Sequence, residues 1–210
     1  MPLKLSVILL PAYRWSTAKE LWCRAEELGF HAAYTYDHLS WRSFRDRVWF
    51  DAVATLAAAA TVTKRIRLGT LVTSPNFRHP VPLAKEFMTL DDVSRGRLTV
   101  GVGAGSEGFD TVALGAPPLQ PAERMERFEE FVRLLCELLG QEVTTSFGQY
   151  YSSRDVRMIP GCLQLPRPPL YIAATGPRGL RTVARFGAAW VTAGDPKMAE
   201  GTNSGGNHIS

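Results

Sequence analysis

The sequence lacks the features that mark membrane, secreted and nucleic-acid-binding proteins. No apolar run approaches the roughly 18 residues of a membrane span. Nothing resembling a signal-peptide cleavage site follows the short apolar stretch at 5–10. The net charge of +4 is mild and the basic residues are scattered, without RNP-like aromatics or a basic helix. We therefore expect neither a membrane nor a nucleic acid as partner.

Cysteine is also scarce. Cys23, Cys136 and Cys162 are odd in number and widely spaced, and no Cys-x-x-Cys pair occurs. This pattern is typical of a reduced compartment, so we expect a cytoplasmic protein with free thiols. We predict no metal site.

The sequence contains alternating strand-like and helix-like segments. Thr17 and Glu20 have the spacing of a capping box and predict the start of the first helix. Short apolar runs predict strands within 5–10, 32–37, 65–74, 98–105, 170–175 and 188–194. Between them, helices are predicted within 16–29, 51–63, 79–97, 121–140 and 177–187. The 210-residue length suits one domain, which we place at 1–195.

Two parts of the chain do not follow this alternation. Residues 141–169 read as an irregular insert with a possible hairpin, and residues 196–210 as a polar, Gly-rich, flexible tail. The six alternations predict a parallel sheet covered by helices, either doubly wound or a barrel. Both architectures gather function at the carboxyl ends of the strands, where most of the Gly, His and Trp residues of this chain lie.

One of these strand ends matches the pattern G-x-G-x-x-G, from Gly103 to Gly108. A dinucleotide fingerprint belongs to the first strand–helix turn and opens a helix at once. Here the run follows the fourth strand, and residues 109–121 have no helical apolar spacing. We therefore interpret it as a Gly-rich loop at a strand end.

Three stretches together resemble the bacterial luciferase-like superfamily: "YTYDHLSW", "RIRLGTLVTSPNFRHPVPLAKEFMTLDDVSRGRLTVGVGAG" and "LYIAATGPRGLRTVARFG". The resemblance implies a TIM (β/α)8-type barrel that uses FMN or the deazaflavin coenzyme F420. Such barrels need about 250 residues, so the six units counted here imply a barrel shortened at its carboxyl end. "YDHLSW" and "IAATGP" look closest to the F420-dependent branch.

The resemblance implies roles for residues after the second and third strands. Asp37 would lie beside the ring system, His38 would handle a proton or stabilise charge, and Trp41 would stack on a ring or substrate. From the residues alone, Asp37 could instead cap a turn, and His38 and Trp41 could pack structurally. A non-prolyl cis peptide bond beneath the ring would map onto Leu71–Val72, while the residues alone allow an ordinary trans strand end. His79-Pro80 reads as a helix start.

The Gly-rich loop after the fourth strand would leave room for the ring system at Ala104, Gly105 and Ser106. The sugar-phosphate branch has a carboxylic acid directly after this turn. This chain has Ser106 there and Glu107 one position later. Glu107 is therefore the candidate acid, and a solvated Glu107 is the alternative.

The fifth and sixth strand ends would bind the coenzyme's phosphate and tail. Ala174, Thr175 and Gly176 precede a helix whose amino terminus can bind an anion, and Arg178 could add charge. Thr192 would be a second contact. The alternative is a plain helix connection starting at a proline.

Taken together, we predict an oxidoreductase that transfers a hydride between F420 and a small organic substrate. An FMN-dependent monooxygenase and a non-catalytic, cofactor-binding paralogue are the alternatives. An open sheet would leave the first and sixth strands unpaired, so we expect a homodimer.

Overall fold

A computed structural model describes residues 3–41, 44–106 and 108–192. The strands are β1 (Ser6–Ile8), β2 (Ala32–Thr35), β3 (Arg67–Thr70), β4 (Leu98–Gly103), β5 (Val143–Phe147), β6 (Ser152–Arg157), β7 (Leu170–Ala173) and β8 (Ala189–Val191). The helices are α1 (Trp15–Glu27), α2 (Ala52–Val62), α3 (Pro80–Val93), α4 (Phe109–Ala113), α5 (Pro121–Gly140) and α6 (Pro177–Phe186).

Six strands form one parallel sheet in the order β1-β2-β3-β4-β7-β8. This is the arrangement of six consecutive βα units of a TIM-type barrel, so the predicted barrel-type fold is confirmed and the doubly wound alternative is wrong. Within the described residues, no strand pairs with the outer edge of β1 or of β8.

The core lies between the sheet and its helices. Leu68, Val100 and Ile172 point from successive strands toward this helix side, as alternation along a strand requires. The largest fully buried side chains are Trp22, Leu56, Leu68, Leu83, Phe87, Leu90, Leu98, Phe128, Phe131, Leu134, Leu135 and Leu138. The helices thus hold the sheet by burying one apolar face, which is the main source of stability in such layers.

The strands β3 and β4 approach each other unusually closely. A Cβ atom at Gly69 would overlap the carbonyl oxygen of Thr99, and one at Gly101 would overlap that of Thr70. Glycine is therefore required at both positions by the backbone contact itself. Arg67 fastens the same pair, because its guanidinium donates to Thr99 Oγ1 at 3.0 Å and to the carbonyl oxygen of Leu98 at 2.6 Å.

The predicted hairpin in the 141–169 insert is confirmed. β5 and β6 pair antiparallel outside the main sheet, and β5 packs against α5. The Glu130 carboxylate on α5 accepts the backbone N–H groups of Gln149, Tyr150 and Tyr151 at 2.6–3.0 Å. One side chain therefore ties the hairpin turn to the body of the domain.

Two local predictions need correction, and a third cannot be compared with the structure. α1 begins at Trp15 with Arg14 as its N-cap residue and has no side-chain cap, so the capping box predicted from Thr17 and Glu20 is wrong. Residues 109–121 were expected to contain no helix because they lack helical apolar spacing, but α4 lies within them. Residues 193–210, which include the end of the predicted domain and the predicted tail, lie outside the described residues.

The Glu26 carboxylate stabilises the turn between α2 and β3. Its Oε2 atom accepts the backbone N–H groups of Lys64, Arg65 and Ile66 at 2.8, 2.6 and 3.0 Å. Burial raises the pKa of Glu26, but these three hydrogen bonds and the charge of Arg65 lower it more, so its pKa lies below the ordinary value. The ionised form therefore stabilises the fold above the unfolded-state pKa, and this contribution disappears as the pH falls through the folded-state pKa.

We expect Glu26→Gln to lower the free energy of unfolding by about 1 kcal/mol at pH 7, because hydrogen bonds to a charged acceptor are lost. The difference from the unsubstituted chain should shrink well below pH 4.3, roughly the pKa of an unfolded glutamate. Urea unfolding at pH 7 and pH 3 measures both effects. Glu27→Gln is the matched control, since Glu27 contacts only the exposed Arg24 among its described ion pairs. Equal losses in the two variants would refute this role of Glu26.

Candidate active site at the carboxyl ends of the strands

The candidate site lies along one edge of the sheet. Parallel strands place their carboxyl ends together, so the segments after β2, β3, β4, β7 and β8 meet there. Three long-range contacts join these segments to each other and to the helices. They are the pairs Asp37 with Arg78, His38 with Asp110, and Asn76 with Ser106.

Asp37 is buried, with 1% of its surface exposed. Its two oxygens accept hydrogen bonds from Thr73 Oγ1 and from the Arg78 guanidinium at 2.7 and 3.1 Å. Arg78 also contacts Asp51 at 2.7 Å. Burial lowers the pKa of Arg78, but Asp37 and Asp51 raise it more, so its pKa lies above the usual value and the ion pair persists. The Asp37 carboxylate is thus occupied within the protein, and its predicted contact with a cofactor stays a prediction.

His38 is held at three points. Its ring Nδ1 lies 2.6 Å from Asp110 Oδ2, and its carbonyl oxygen accepts Trp49 Nε1 at 2.8 Å. The ring also lies against Trp41, with 4.4 Å between ring centroids. The His38 side chain is 22% exposed, whereas that of Asp110 is 4% exposed. A half-buried imidazole in a fixed orientation at a strand end is suited to moving a proton.

Asp110 is the residue that sequence reasoning missed. It lies on α4, which has five residues and no apolar periodicity to predict it. Its Oδ1 atom accepts the backbone N–H of Leu39 at 2.8 Å, so both carboxylate oxygens bind the segment after β2. The only local signal was an acidic residue shortly after a Gly-rich strand end.

Trp41 contacts two rings of the same segment. Tyr36 meets it edge-on at a centroid distance of 5.3 Å, and the His38 ring lies tilted against it at 4.4 Å. An indole ring here could stack on a flat ligand, but the same contacts are also expected if Trp41 only packs structurally. The predicted stacking role of Trp41 therefore stays a prediction.

The peptide bond between Leu71 and Val72 is cis, as the resemblance predicted. It directly follows β3, where Thr73 still bonds to β4 through N–H and C=O contacts of 2.9 Å with Gly101 and Gly103. A Cβ atom at Gly103 would lie 2.8 Å from Val72 Cγ2. Glycine in β4 therefore makes space for the turn after β3.

The loop after β4 packs closely against Asn76, and the predicted cofactor contacts of Ala104, Gly105 and Ser106 stay predictions. Gly105 has φ of +74°, and a Cβ atom there would lie 2.6 Å from Asn76 Nδ2. Asn76 donates to the carbonyl oxygen of Ser106 at 2.8 Å and accepts Arg127 Nη2 at 2.7 Å. The positive φ and the contact with Asn76 are a sufficient reason for glycine at 105. Ala104 is half-buried and Ser106 exposed, while Glu107 lies outside the described residues.

The segment after β7 leads into α6. Gly176 is the N-cap residue of α6, with φ of −109°, and a Cβ atom there would have no atom within 4 Å. Thr175 is exposed, as is Thr192 after β8, and Ala174 accepts Trp190 Nε1 at 2.8 Å. The amino terminus of α6 thus faces open space beside Gly176 and can bind an anion through its free N–H groups.

Arg178, which was expected to add charge to this terminus, pairs with α5 in the structure. Its guanidinium forms a two-point ion pair with Glu129 of α5 at 2.8 and 2.7 Å, and Glu126 lies 3.6 Å away. The hydrogen bonds to Glu129 raise the pKa of Arg178 above its usual value. Backbone N–H groups, not this side chain, make up the anion-binding potential of the terminus.

Two other ionisable groups near this edge have structural roles. Burial lowers the pKa of His79, whose Nδ1 atom accepts the backbone N–H of Val81 and caps α3, as its position before Pro80 predicted. Burial raises the pKa of Tyr34 to about 12, with Tyr171 adding to the effect, so its phenol is neutral at pH 7. Within residues 3–41, 44–106 and 108–192, no group of His, Cys, Asp and Glu could hold a metal ion, and no helix could cross a membrane.

The parallel sheet places this chain among the α/β barrels. The oriented His38 ring and the amino terminus of α6 lie along the carboxyl edge of the strands, where enzymes with this fold have their active sites. A family model for luciferase-like monooxygenases matches residues 4–204. This chain therefore belongs to the luciferase-like monooxygenase family.

Individual relatives make the comparison more specific. An F420-dependent glucose-6-phosphate dehydrogenase from Beutenbergia cavernae is 38% identical over 173 residues, which are 80% of this chain and 49% of that protein. An F420-dependent secondary alcohol dehydrogenase, solved with an F420–acetone adduct, superposes with a TM-score of 0.80 at 26% identity, covering 98% of this chain and 66% of the other. A monooxygenase from Streptomyces bottropensis gives a TM-score of 0.79 at 27% identity, covering 99% and 68%.

The chain spans about half the length of the curated relatives that it matches. Those relatives are named as F420-dependent oxidoreductases, and structures that bind F420 share this fold.

The two glycines of the site offer a matched pair of substitutions. Gly105→Ala should lower the free energy of unfolding by about 1–3 kcal/mol, because a positive φ and the contact with Asn76 both oppose a side chain. Gly176→Ala should leave it unchanged or raise it slightly, because its φ is ordinary and the space is open. Urea unfolding of both variants measures the difference. Comparable losses at the two positions would contradict this account of the loop after β4.

Proposed function

We propose that this chain transfers a hydride between coenzyme F420 and a small organic substrate. The observation that carries the proposal is the oriented His38 ring, fixed by Asp110 at the same edge of the sheet as the open amino terminus of α6. One group is placed to move a proton and the other to bind an anion. The sequence identity of 38% and 34% between this chain and two F420-dependent glucose-6-phosphate dehydrogenases supports this choice of cofactor.

The residues present fit such a cofactor. The α6 terminus at Gly176 offers free backbone N–H groups and space where a phosphate needs them, with Ala174, Thr175 and Thr192 in neighbouring segments. The ring system belongs between Leu71–Val72 and the Gly-rich segment 104–106, which follow adjacent strands. When bound, the deazaflavin supplies the hydride acceptor or donor, and the protein supplies binding, orientation and proton handling.

The substrate class follows from the relatives and from His38. A glucose-6-phosphate dehydrogenase and a secondary alcohol dehydrogenase both act on a carbon that carries a hydroxyl group. Oxidation of such a carbon releases a hydride and the hydroxyl proton. His38 is the group that we propose to take this proton, and Trp41, beside it, would pack on the substrate or ring.

The acid role proposed for Glu107 is independent of this step. Ser106 stands where the sugar-phosphate branch has a carboxylic acid, and it is exposed. In our proposal the reaction needs one proton acceptor, and His38 fills that role without Glu107.

The alternative function is an FMN-dependent monooxygenase reaction. The observation that favours it is the superposition on a monooxygenase from Streptomyces bottropensis over 99% of this chain. The two activities share the fold and differ in cofactor and in the use of oxygen, so cofactor preference separates them.

The first test measures the cofactor and the role of His38 together. We expect equilibrium dialysis to give tighter binding of F420 than of FMN, and substrate-dependent reduction of F420 in the presence of small alcohols or sugar phosphates. His38→Gln should keep F420 affinity within a few-fold but lower turnover by about 10²–10⁴-fold, because general base catalysis is lost. His31→Gln, at the other end of β2, is the control and should keep both.

Tenfold tighter binding of FMN would favour the monooxygenase instead. Binding of F420 without turnover of any alcohol would favour a non-catalytic paralogue. Unchanged turnover in His38→Gln would return His38 to a structural role.

We further propose that the chain is a cytoplasmic homodimer. Its three cysteines are free, which fits a reducing compartment. Among the described strands, β1 and β8 each have one unpaired edge, and apolar side chains beside them are exposed: Leu3, Leu5 and Ile8 near β1 and Trp190 on β8. An unpaired edge with exposed apolar groups favours association with a second copy.

Light scattering of the purified chain should therefore give twice the mass of 23.2 kDa. Ile8→Lys, on the β1 edge, should shift the population toward the monomer, because a charge on an edge strand opposes pairing. Val93→Lys, on the helix layer, should not. A monomer at all concentrations would overturn the dimer.

A further inference from the structure

The contact between Asp110 and His38 fixes more than the position of the ring. Asp110 is almost fully buried and uses both oxygens, Oδ1 for the N–H of Leu39 and Oδ2 for Nδ1 of His38. The two residues are 72 positions apart in the chain, so the contact joins α4 to the segment after β2. Trp41 lies against the ring, and Trp49 holds the carbonyl oxygen of His38.

These contacts determine which ring nitrogen carries the hydrogen. An ionised carboxylate can only accept hydrogen bonds, so Nδ1 must donate at this distance of 2.6 Å. In a neutral imidazole the other nitrogen then has a free lone pair. Nε2 is therefore the atom of His38 that can accept a proton, and ring flipping would cost the contact with Asp110.

We propose that Asp110 is the positioning residue of the reaction, holding His38 in the tautomer whose Nε2 atom accepts the substrate's proton. This role rests on the function proposed above. As a hydride leaves the hydroxyl-bearing carbon for the cofactor, the C–O bond becomes a double bond and the O–H bond breaks. The substrate is oxidised by two electrons, the cofactor is reduced, and the proton passes to Nε2. The ring then carries a positive charge opposite the Asp110 carboxylate.

The proposal is specific to Asp110 among the carboxylates of the site. The Asp37 carboxylate, on the residue next to His38, bonds to Arg78 and Thr73 instead. Asp51 is likewise engaged by Arg78 and by the backbone N–H of Ala54. In the part of the chain that the structure describes, Asp110 is the carboxylate bonded to the His38 ring.

The test begins with the chain alone. Two-dimensional ¹H–¹⁵N NMR of the imidazole rings, with the His38 signals assigned by their loss in His38→Gln, reports which nitrogen is protonated. We expect hydrogen on Nδ1 and a lone pair on Nε2. Hydrogen on Nε2 in the unsubstituted chain would overturn the proposal without any variant being needed.

Asp110→Asn tests the consequence, because its amide can donate to Nδ1 and so favour the other tautomer. We expect the NMR signals of His38 to change accordingly, kcat for F420 reduction to fall by about 10²–10⁴-fold, and KM to change by less than a few-fold. Asp155→Asn, on the exposed hairpin, is the control and should keep all three values.

Two results separate this inference from the function on which it rests. An unchanged kcat in Asp110→Asn, with a folded protein, would overturn the positioning role. If the tautomer changes as expected but the unsubstituted chain reduces no F420, the proposed function fails while control of the His38 ring by Asp110 is supported.

Discussion

The close pairing of β3 with β4 is the contact on which the site depends. β1, β2 and β3 lie on one side of it and β4, β7 and β8 on the other, so this junction joins the two groups of described strands. Gly69 and Gly101 permit the approach, and Arg67 fastens it. His38 follows a strand of the first group and Gly176 a strand of the second. Together with the pairings of β2 with β3 and of β4 with β7, this junction brings His38 and Gly176 to one edge of the sheet.

Above the sheet, the site is organised by polar contacts between segments that are distant in sequence. Asp37 and Arg78 connect the ends of β2 and β3, and Asn76 connects the loops after β3 and β4 to α5. These contacts are largely buried, where hydrogen bonds to charged groups are strong and costly to break. The side chains that we propose to face a ligand are thus supported by a polar layer that does not itself need to touch the ligand.

The sequence predicted the regular parts of this structure well. Continuous apolar runs predicted all six sheet strands because a parallel sheet is buried on both faces. The resemblance predicted the cis bond at Leu71–Val72 because the family motif there is long and specific. A possible hairpin was predicted at "VTTSFGQYYSS", which is where β5 and β6 pair.

The missed features depend on distant partners or on very short elements. α4 has too few residues to show a helical period, so Asp110 had no predicted place. Arg178 was expected to be available because its partner Glu129 lies 49 residues away and local sequence gives no sign of it. Thr17 and Glu20 have suitable spacing, but α1 starts at Trp15, before the predicted cap. The partner of a charged side chain on a neighbouring helix depends on how the helices pack, and the periodicity of the sequence does not predict that packing.

The β5–β6 hairpin stands apart from these constraints. Its strands bond to each other rather than to the sheet, and it is attached to α5 through the carboxylate of Glu130. The register of β4 with β7 is therefore independent of the length or composition of the hairpin. A residue inserted at the hairpin tip would therefore extend a surface turn and leave the strands of the main sheet in place.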